Sequence, residues 1–448
     1  MAELQAMTAR SKFHKLFIAA MFTGVVALCG CQKSPPAQFR LNMVEMAEKE
    51  MTEENQQTIA NVLLAMFGTP DDPFVLPETG LDIKKLQLAA GPVRSDRAGV
   101  HRGLFREHCV HCHGITGDGM GPTATFLKPY PRDYRQGKFK FTSTPTMAMP
   151  TDDDLARIIR HGVPGTAMPA FEVALSQPEV DALVEYVKYL SLRGQVEIGL
   201  VLQIQDLNIG ATLPTDRATL VDTVLVPEVE KWKSAAQAVI QPAKPPPEDF
   251  GSDASIAKGR ELFFSEKKGN CVLCHGTTAL GDGQRTNYDE WSKQVNDVRT
   301  SSEATLARRD QIQADTEKKI AEIQENGELS SAEKREQIAA LEESQETALT
   351  ELEPAEELAR WKLAVIEAHA LEPRMIDPRN LRMGVYRGGR RPIDLYYRLE
   401  AGINGSGMPK APLDETEKWQ VIDYVLSLPY EPGGELGVER VMAARERN

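Results

Sequence analysis

Two five-residue stretches, Cys109-Val110-His111-Cys112-His113 and Cys271-Val272-Leu273-Cys274-His275, share the spacing Cys-x-x-Cys-His. Thiols two residues apart reach two vinyl groups of one porphyrin from a single helical turn, and the adjacent histidine then lies under the iron. The spacing is that of covalent haem attachment. Each stretch is followed by Gly (Gly114, Gly276) and, further on, by a Gly-Asp-Gly triplet at 117–119 and 281–283. A thioredoxin-like Cys-x-x-Cys or half of a zinc site are the competing readings of one copy. Two copies in a repeated context favour haem. The expected cofactors are two covalently bound haem c, attached through Cys109, Cys112, Cys271 and Cys274, with His113 and His275 as iron ligands.

The repeat extends beyond the motifs. Residues 154–169 align without gaps to 394–409, pairing Met168-Pro169 with Met408-Pro409. Upstream, Pro131-Arg132-Asp133 matches Pro378-Arg379-Asn380, and downstream Glu179–Leu192 resembles Glu415–Leu428. Val180, Leu183, Val184, Val187 and Leu190 keep helical spacing, as do Val421, Ile422, Val425 and Leu428. Thr151 with Asp154 reads as a capping box opening a short helix that stops at Gly162. Strand signals are weak throughout, so the expected fold class is all-α.

The second half is longer. His113 and His275 are 162 residues apart and Met168 and Met408 are 240 apart, which leaves 78 extra residues between Gly283 and Pro378. Residues 303–325 and 331–352 are charged, each with one thin apolar stripe, and Asn326-Gly327 separates them; Ser330 and Glu333 read as a capping box. The pattern predicts an antiparallel helical hairpin, against the plainer reading of a solvated charge run. Residues 40–67 read as helical, and the stretch from about 193 to 250, ending in Pro242 and Pro245-Pro246-Pro247, reads as an extended linker.

At the N-terminus, Arg10, Lys12, His14 and Lys15 precede an apolar run from Leu16 to Leu28 that is short for a membrane span. It ends at Cys29-Gly30-Cys31 and turns polar. Of the six cysteines, four lie in the two motifs, which leaves none for a disulfide once Cys29 and Cys31 are set aside with the N-terminal segment. Net charge is −13, which argues against nucleic acid and favours basic protein partners.

For the sixth iron position, Met168 and Met408 hold equivalent places, each after a Gly-containing loop and before Pro. His161 competes in half one, but its counterpart is Ala401, and Met147 and Met149 have no methionine counterparts. One mechanism for both halves selects Met168 and Met408. His108 and His111 flank the first motif without being read as ligands. Arg132 and Arg379 are candidates to pair with haem propionates, or else with ordinary surface carboxylates. Pro122 is the candidate carbonyl to fix the Nδ1–H of His113.

These motifs resemble those of class I c-type cytochrome domains: Cys-x-x-Cys-His-Gly, Gly-Asp-Gly, a helix, Gly-x-x-Met-Pro and a closing helix. The N-terminal segment likewise resembles the lipobox of bacterial lipoproteins, which implies cleavage before Cys31 and its acylation. The first half is similar to haem domains of lipid-anchored cytochrome c subunits of bacterial respiratory complexes, such as alternative complex III and haem–copper oxidases. The resemblance implies two class I cytochrome c domains, with a long helical-hairpin insertion in the second. The expected layout is a signal peptide at 1–30, a tether and helical segment at 31–96, and a first domain at 97–194. A linker at 195–253, a second domain at 254–430 with its insertion at about 290–370, and a tail at 431–448 complete it.

The implied role is electron transfer, on the periplasmic side of a bacterial membrane. It runs within a respiratory membrane complex, from the quinol side to a soluble cytochrome c or oxidase, with the chain anchored to lipid through Cys31. No substrate turnover and no catalytic residue are expected. The rival readings are a di-haem peroxidase, which needs an open iron site, and a scaffold subunit with a redox relay.

Overall fold

The computed structural model describes residues 36–206, 217–284 and 289–431, with the side chains of Glu290 and Trp291 excepted. The signal peptide, Cys31 and the tail beyond 431 lie outside the described residues. The chain is all-α: among the described residues the only strands are Arg94–Ser95 and His101–Arg102, a two-residue antiparallel ribbon.

Helices α1 (Met43–Glu48) and α2 (Glu53–Phe67) open the described chain, and the Thr52 side chain caps α2 by accepting from the Asn55 N–H. They bury Met46, Ile59, Leu63 and Phe67. Helix α3 (Ile83–Ala89) follows, then α4 (Leu104–His108) and α5 (Val110–His113), which carries the first motif. Helix α6 (Asp152–His161) starts on the Thr151–Asp154 capping box and ends at Gly162. Helix α7 runs from Gln177 to Asp206 and is the axis of the first core.

The length of α7 corrects the linker expectation. Residues 195–206 continue the helix, and 217–233, with α8 (Val226–Lys233) at its end, and 235–238 are helical too. Val196, Leu200, Val201 and Ile204 keep helical spacing and are buried, as are Leu220, Val224 and Leu225. That buried apolar face holds the stretch on the core. The proline-rich segment after 240 is the part that stays non-helical.

A second core gathers around α9 (Asp253–Phe264), α10 (Val272–His275, the second motif), α13 (Pro392–Ala401) and α14 (Glu415–Ser427). Between α10 and α13 rise α11 (Glu290–Glu325) and α12 (Ser331–His369). Ser330 and Glu333 form the capping box of α12. The stripe residues Leu306, Ile312 and Ile323 on α11, and Ile338, Leu341 and Leu349 on α12, are half-buried along the hairpin, whose other faces are exposed. At the base, Val295, Val298 and Ile366 pack with Val44 of α1 in a third small core. The described residues from Phe39 onward belong to one compact unit.

Candidate haem sites

The two motif helices are built alike. Each motif His donates its Nδ1–H to a backbone carbonyl: His113 to Arg132 O at 3.0 Å, and His275 to Arg379 O at 3.1 Å. This fixes the ring and leaves Nε2 free for a metal. The expectation of Pro122 in this role is corrected: Pro122 is exposed, while the chain at 131–133 lies directly against the motif loop. Arg132 and Arg379 therefore serve through their main chains, whatever their guanidiniums do.

The same geometry corrects the register of the loops. His113 O accepts from Gly119 N, and His275 O accepts from Gly281 N, both at 2.9 Å. Gly119-Met120-Gly121 is thus the counterpart of Gly281-Asp282-Gly283, and the two Gly-Asp-Gly triplets are offset by two residues. A Cβ on Gly121 would lie 2.4 Å from His111 O, and one on Gly283 2.5 Å from Leu273 O, so only glycine lets the loop close on the motif helix. Tyr134 N bonds Gly117 O and Leu381 N bonds Ala279 O, which makes Ala279 the counterpart of Gly117.

The methionine loops also repeat bond for bond. Val163 N donates to Met168 O at 3.1 Å, and Ile403 N to Met408 O at 3.0 Å. Thr166 and Ser406 each close the loop with a hydroxyl that donates to the carbonyl three residues back and accepts from the methionine N–H. Gly162 and Gly402 end the preceding helices against the Met168 and Met408 carbonyls, where a Cβ would approach to 2.5 and 2.7 Å. His161, the competing ligand, is exposed and pairs with Glu172 at 3.0 Å. Met147 is exposed, and the Met149 sulfur accepts from Gln195 Nε2 inside the core.

In the first half the pieces converge on one cleft of about 1450 Å3, its open mouth included. Cys109, Cys112 and His113 line one wall, and Met168 with Ile159 and Leu183 lines another. The imidazole of His113 stacks on Tyr134 with centroids 4.7 Å apart. Burial pushes its pKa down to about 4, so the ring is neutral and able to ligate. Burial likewise holds His275 below the usual range. The thiols go the other way: burial pushes Cys109 up to about 12 and Cys271 up to about 11. Neither Cys109 nor Cys271 thus has the lowered thiolate pKa that disulfide oxidoreductases use. His108 packs edge-on against Phe171, and His111 lines the cleft behind the two thiols.

Three basic side chains reach the cleft: Arg132, Lys140 and Arg387. Lys140 pairs with Asp289, which lies 3.8 Å from Arg132. Arg387 comes from the second half, and its Nε is buried with no hydrogen-bond partner. An apolar slot flanked by two thiols, with a neutral imidazole and a thioether on its walls and a guanidinium whose buried Nε has no partner, fits a dicarboxylated iron porphyrin. Sequence reasoning missed Arg387 and Lys140, although both stand eight residues after the arginines of the repeat, Arg379 and Arg132. In the second half Arg379 donates Nε to Val385 O, and its guanidinium lies where a Gly165 Cβ would point, against the first methionine loop.

An all-α chain presenting Cys-x-x-Cys-His and Met to one cleft is a covalent-haem protein. Comparisons place it more closely. Residues 98–187 match the family described as cytochrome c oxidase, cbb3-type, subunit III. Cytochrome c55X of Stutzerimonas stutzeri is 32% identical over 102 residues, which are 22% of this chain and 73% of that protein. The chain belongs to the c-type cytochromes, the family that binds haem c covalently and carries electrons. Among solved structures, a chain of a Kuenenia stuttgartiensis reducing HAO-like protein complex aligns over 72% of this chain and 93% of its own, at 19% identity and a TM-score of 0.41.

Proposed function

We propose that the chain is a membrane-anchored, two-haem electron relay. The observation that carries this is the duplication at 113 and 275: imidazole to arginine carbonyl, motif carbonyl to glycine N–H, and a methionine loop closed by the same bonds. On this reading residues 97–194 and 254–430 are two class I cytochrome c domains, the second interrupted by α11 and α12.

Haem supplies a one-electron iron couple at each site. His113 and His275 would hold the iron through Nε2, with their orientation set by Arg132 O and Arg379 O. Met168 and Met408 would supply soft, neutral thioethers, which would favour the ferrous ion and raise the potential. If Met168 and Met408 hold the iron opposite His113 and His275, neither site would keep an open position for a substrate, which favours relay over peroxidase chemistry.

Acylated Cys31 is the membrane tether in this proposal, on the periplasmic side. The hairpin, whose distal half stands clear of the three cores, is the docking element for a respiratory complex. A soluble cytochrome or an oxidase receives the electrons.

Intact-mass measurement of the purified chain tests the haem count, with two added haem groups expected. One haem, or none, overturns the relay. Oxidised spectra that lack a thioether–iron charge-transfer band in the parent, or keep it in Met168→Ala together with Met408→Ala, overturn the axial assignment. Cys31→Ser moves the chain from the membrane to the soluble fraction if the tether is lipid. Deleting 300–370 leaves both haems but abolishes co-purification with the complex if the hairpin docks.

A further inference from the structure

One basic side chain facing the first cleft has a buried N–H with no hydrogen-bond partner, and it comes from the other half of the chain. Arg387 follows the second motif by more than a hundred residues, yet it lines the cleft that holds His113 and Met168. Its placement is enforced from both sides. The backbone of Gly388 lies against the Phe141 ring, where a Cβ would come within 2.5 Å of the aromatic carbon, and Phe141 lines the same cleft. The Gly388 carbonyl accepts from Arg157 of α6 at 2.8 Å. Gly388 has φ +80, a conformation that glycine adopts without strain.

The electrostatic accounts of the three cations differ. Lys140 is paired with Asp289, and Arg132 stands at the edge of the same carboxylate. Arg387 has a buried Nε with no acceptor. An unmet buried guanidinium N–H is costly, and charge-assisted bonds from arginine to a carboxylate are among the strongest available. Burial and the neighbouring charge of Arg379, only partly offset by Asp377, lower the pKa of Arg387, the direction expected of a cation short of an anion.

We propose that Arg387 is a binding residue for the first haem: it donates to a propionate of the haem attached at Cys109 and Cys112, so that the second half of the chain completes the first site. This rests on haem occupying that cleft. It departs from the expectation that each half provides its own propionate partner, Arg132 for one and Arg379 for the other.

A cation at the propionate lowers the cost of adding an electron to the iron. Arg387→Gln therefore lowers the midpoint potential of the first haem, by roughly tenfold in the one-electron equilibrium, which is 59 mV for one electron. Arg387→Lys keeps the charge and restores most of the potential. The measurement is a spectroelectrochemical titration of the full chain. The first-haem wave is identified as the one missing from Cys109→Ser with Cys112→Ser, or, if that variant does not fold, as the one displaced in Met168→His.

Mass and haem absorbance of the parent come first, and a parent without haem overturns the cofactor reading itself, before any variant is compared. With two haems present in Arg387→Gln, a lowered first wave supports the proposal. An unmoved first wave overturns it, whether or not the second wave moves, because a merely structural arginine has no reason to act on that potential and be rescued by lysine.

Discussion

At the residue scale, the informative positions are those where two halves use different residues for one job. Gly117 and Ala279 both sit at positive φ, +73 and +60, in equivalent turns. Glycine takes this conformation freely, whereas for alanine it costs about 1–2 kcal/mol. Ala279→Gly is therefore expected to raise stability by roughly 0.5–1 kcal/mol, the loss of its buried methyl and the freer unfolded chain offsetting part of the relief. Gly117→Ala goes the other way, since its Cβ would meet Leu190 and Tyr134 at 3.0 Å. Chemical denaturation of the haem-loaded chain checks both, and a destabilised Ala279→Gly would refute the turn equivalence. The sequence made this pair hard to see. Two identical Gly-Asp-Gly triplets invite alignment, but they start four and six residues after their motif histidines, and the main-chain bonds pair Gly119, not Gly117, with Gly281. The Arg132 carbonyl was illegible for the same reason, because a backbone acceptor leaves no signature in its side chain. The methionine loops were readable because their geometry depends on side chains at fixed spacing: Gly162, Thr166 and Met168 against Gly402, Ser406 and Met408.

At the scale of elements, apolar periodicity located the helices well, and composition misled only where it competed with periodicity. The triple proline at 245–247 suggested a linker beginning near 193, yet Val196, Leu200, Val201 and Ile204 prolong α7 as a buried helix. The hairpin was legible from its stripes and its Ser330–Glu333 box, but its seat was not. That seat is α1, where Gln294 of α11 donates Nε2 to Glu45 at 2.7 Å and to Glu48 at 2.6 Å. Burial foremost, with Glu48 nearby, raises the pKa of Glu45 against the bond from Gln294. An acid with a raised folded pKa stays protonated in the native state while the unfolded chain ionises near 4.5. Folding is thus penalised as pH rises from that point through the folded value, and the penalty persists at neutral pH. Glu45→Gln retains an acceptor for Gln294 and removes both the buried charge and its repulsion with Glu48. It should match the parent near pH 4 and exceed it at pH 7, by at least the ~0.2–0.5 kcal/mol of a like-charge helix pair. Thermal melts at the two pH values decide it, and a variant less stable at pH 7 removes this account of the seat.

At the scale of the whole molecule, the two haem-motif regions are joined by arginines reaching into backbone carbonyls, with little shared apolar core. Arg374 is the clearest case. It donates to Leu127 O at 2.7 Å and Thr125 O at 3.2 Å, and its guanidinium lies 3.9 Å from the centre of the Tyr130 ring. Arg157 does the same in the other direction, from α6 to Gly388. Such contacts fix orientation more than they add stability, because each is charge-assisted but partly open to water. The segment from Arg374 to Gly389 thereby becomes a common wall: one face holds His275 through Arg379 O, and the other presents Arg387 to the first cleft. Loosening the wall should uncouple the halves before it unfolds either. Arg374→Ala removes two charge-assisted bonds and one ring contact, a loss of about 2–3 kcal/mol at the junction. The expected result is that denaturant unfolding followed by haem absorbance splits or broadens, with a smaller slope, while the spectrum in water stays native. A transition of unchanged midpoint and slope would mean that the junction is held elsewhere, and Arg374 would then be no more than a surface residue resting on Tyr130.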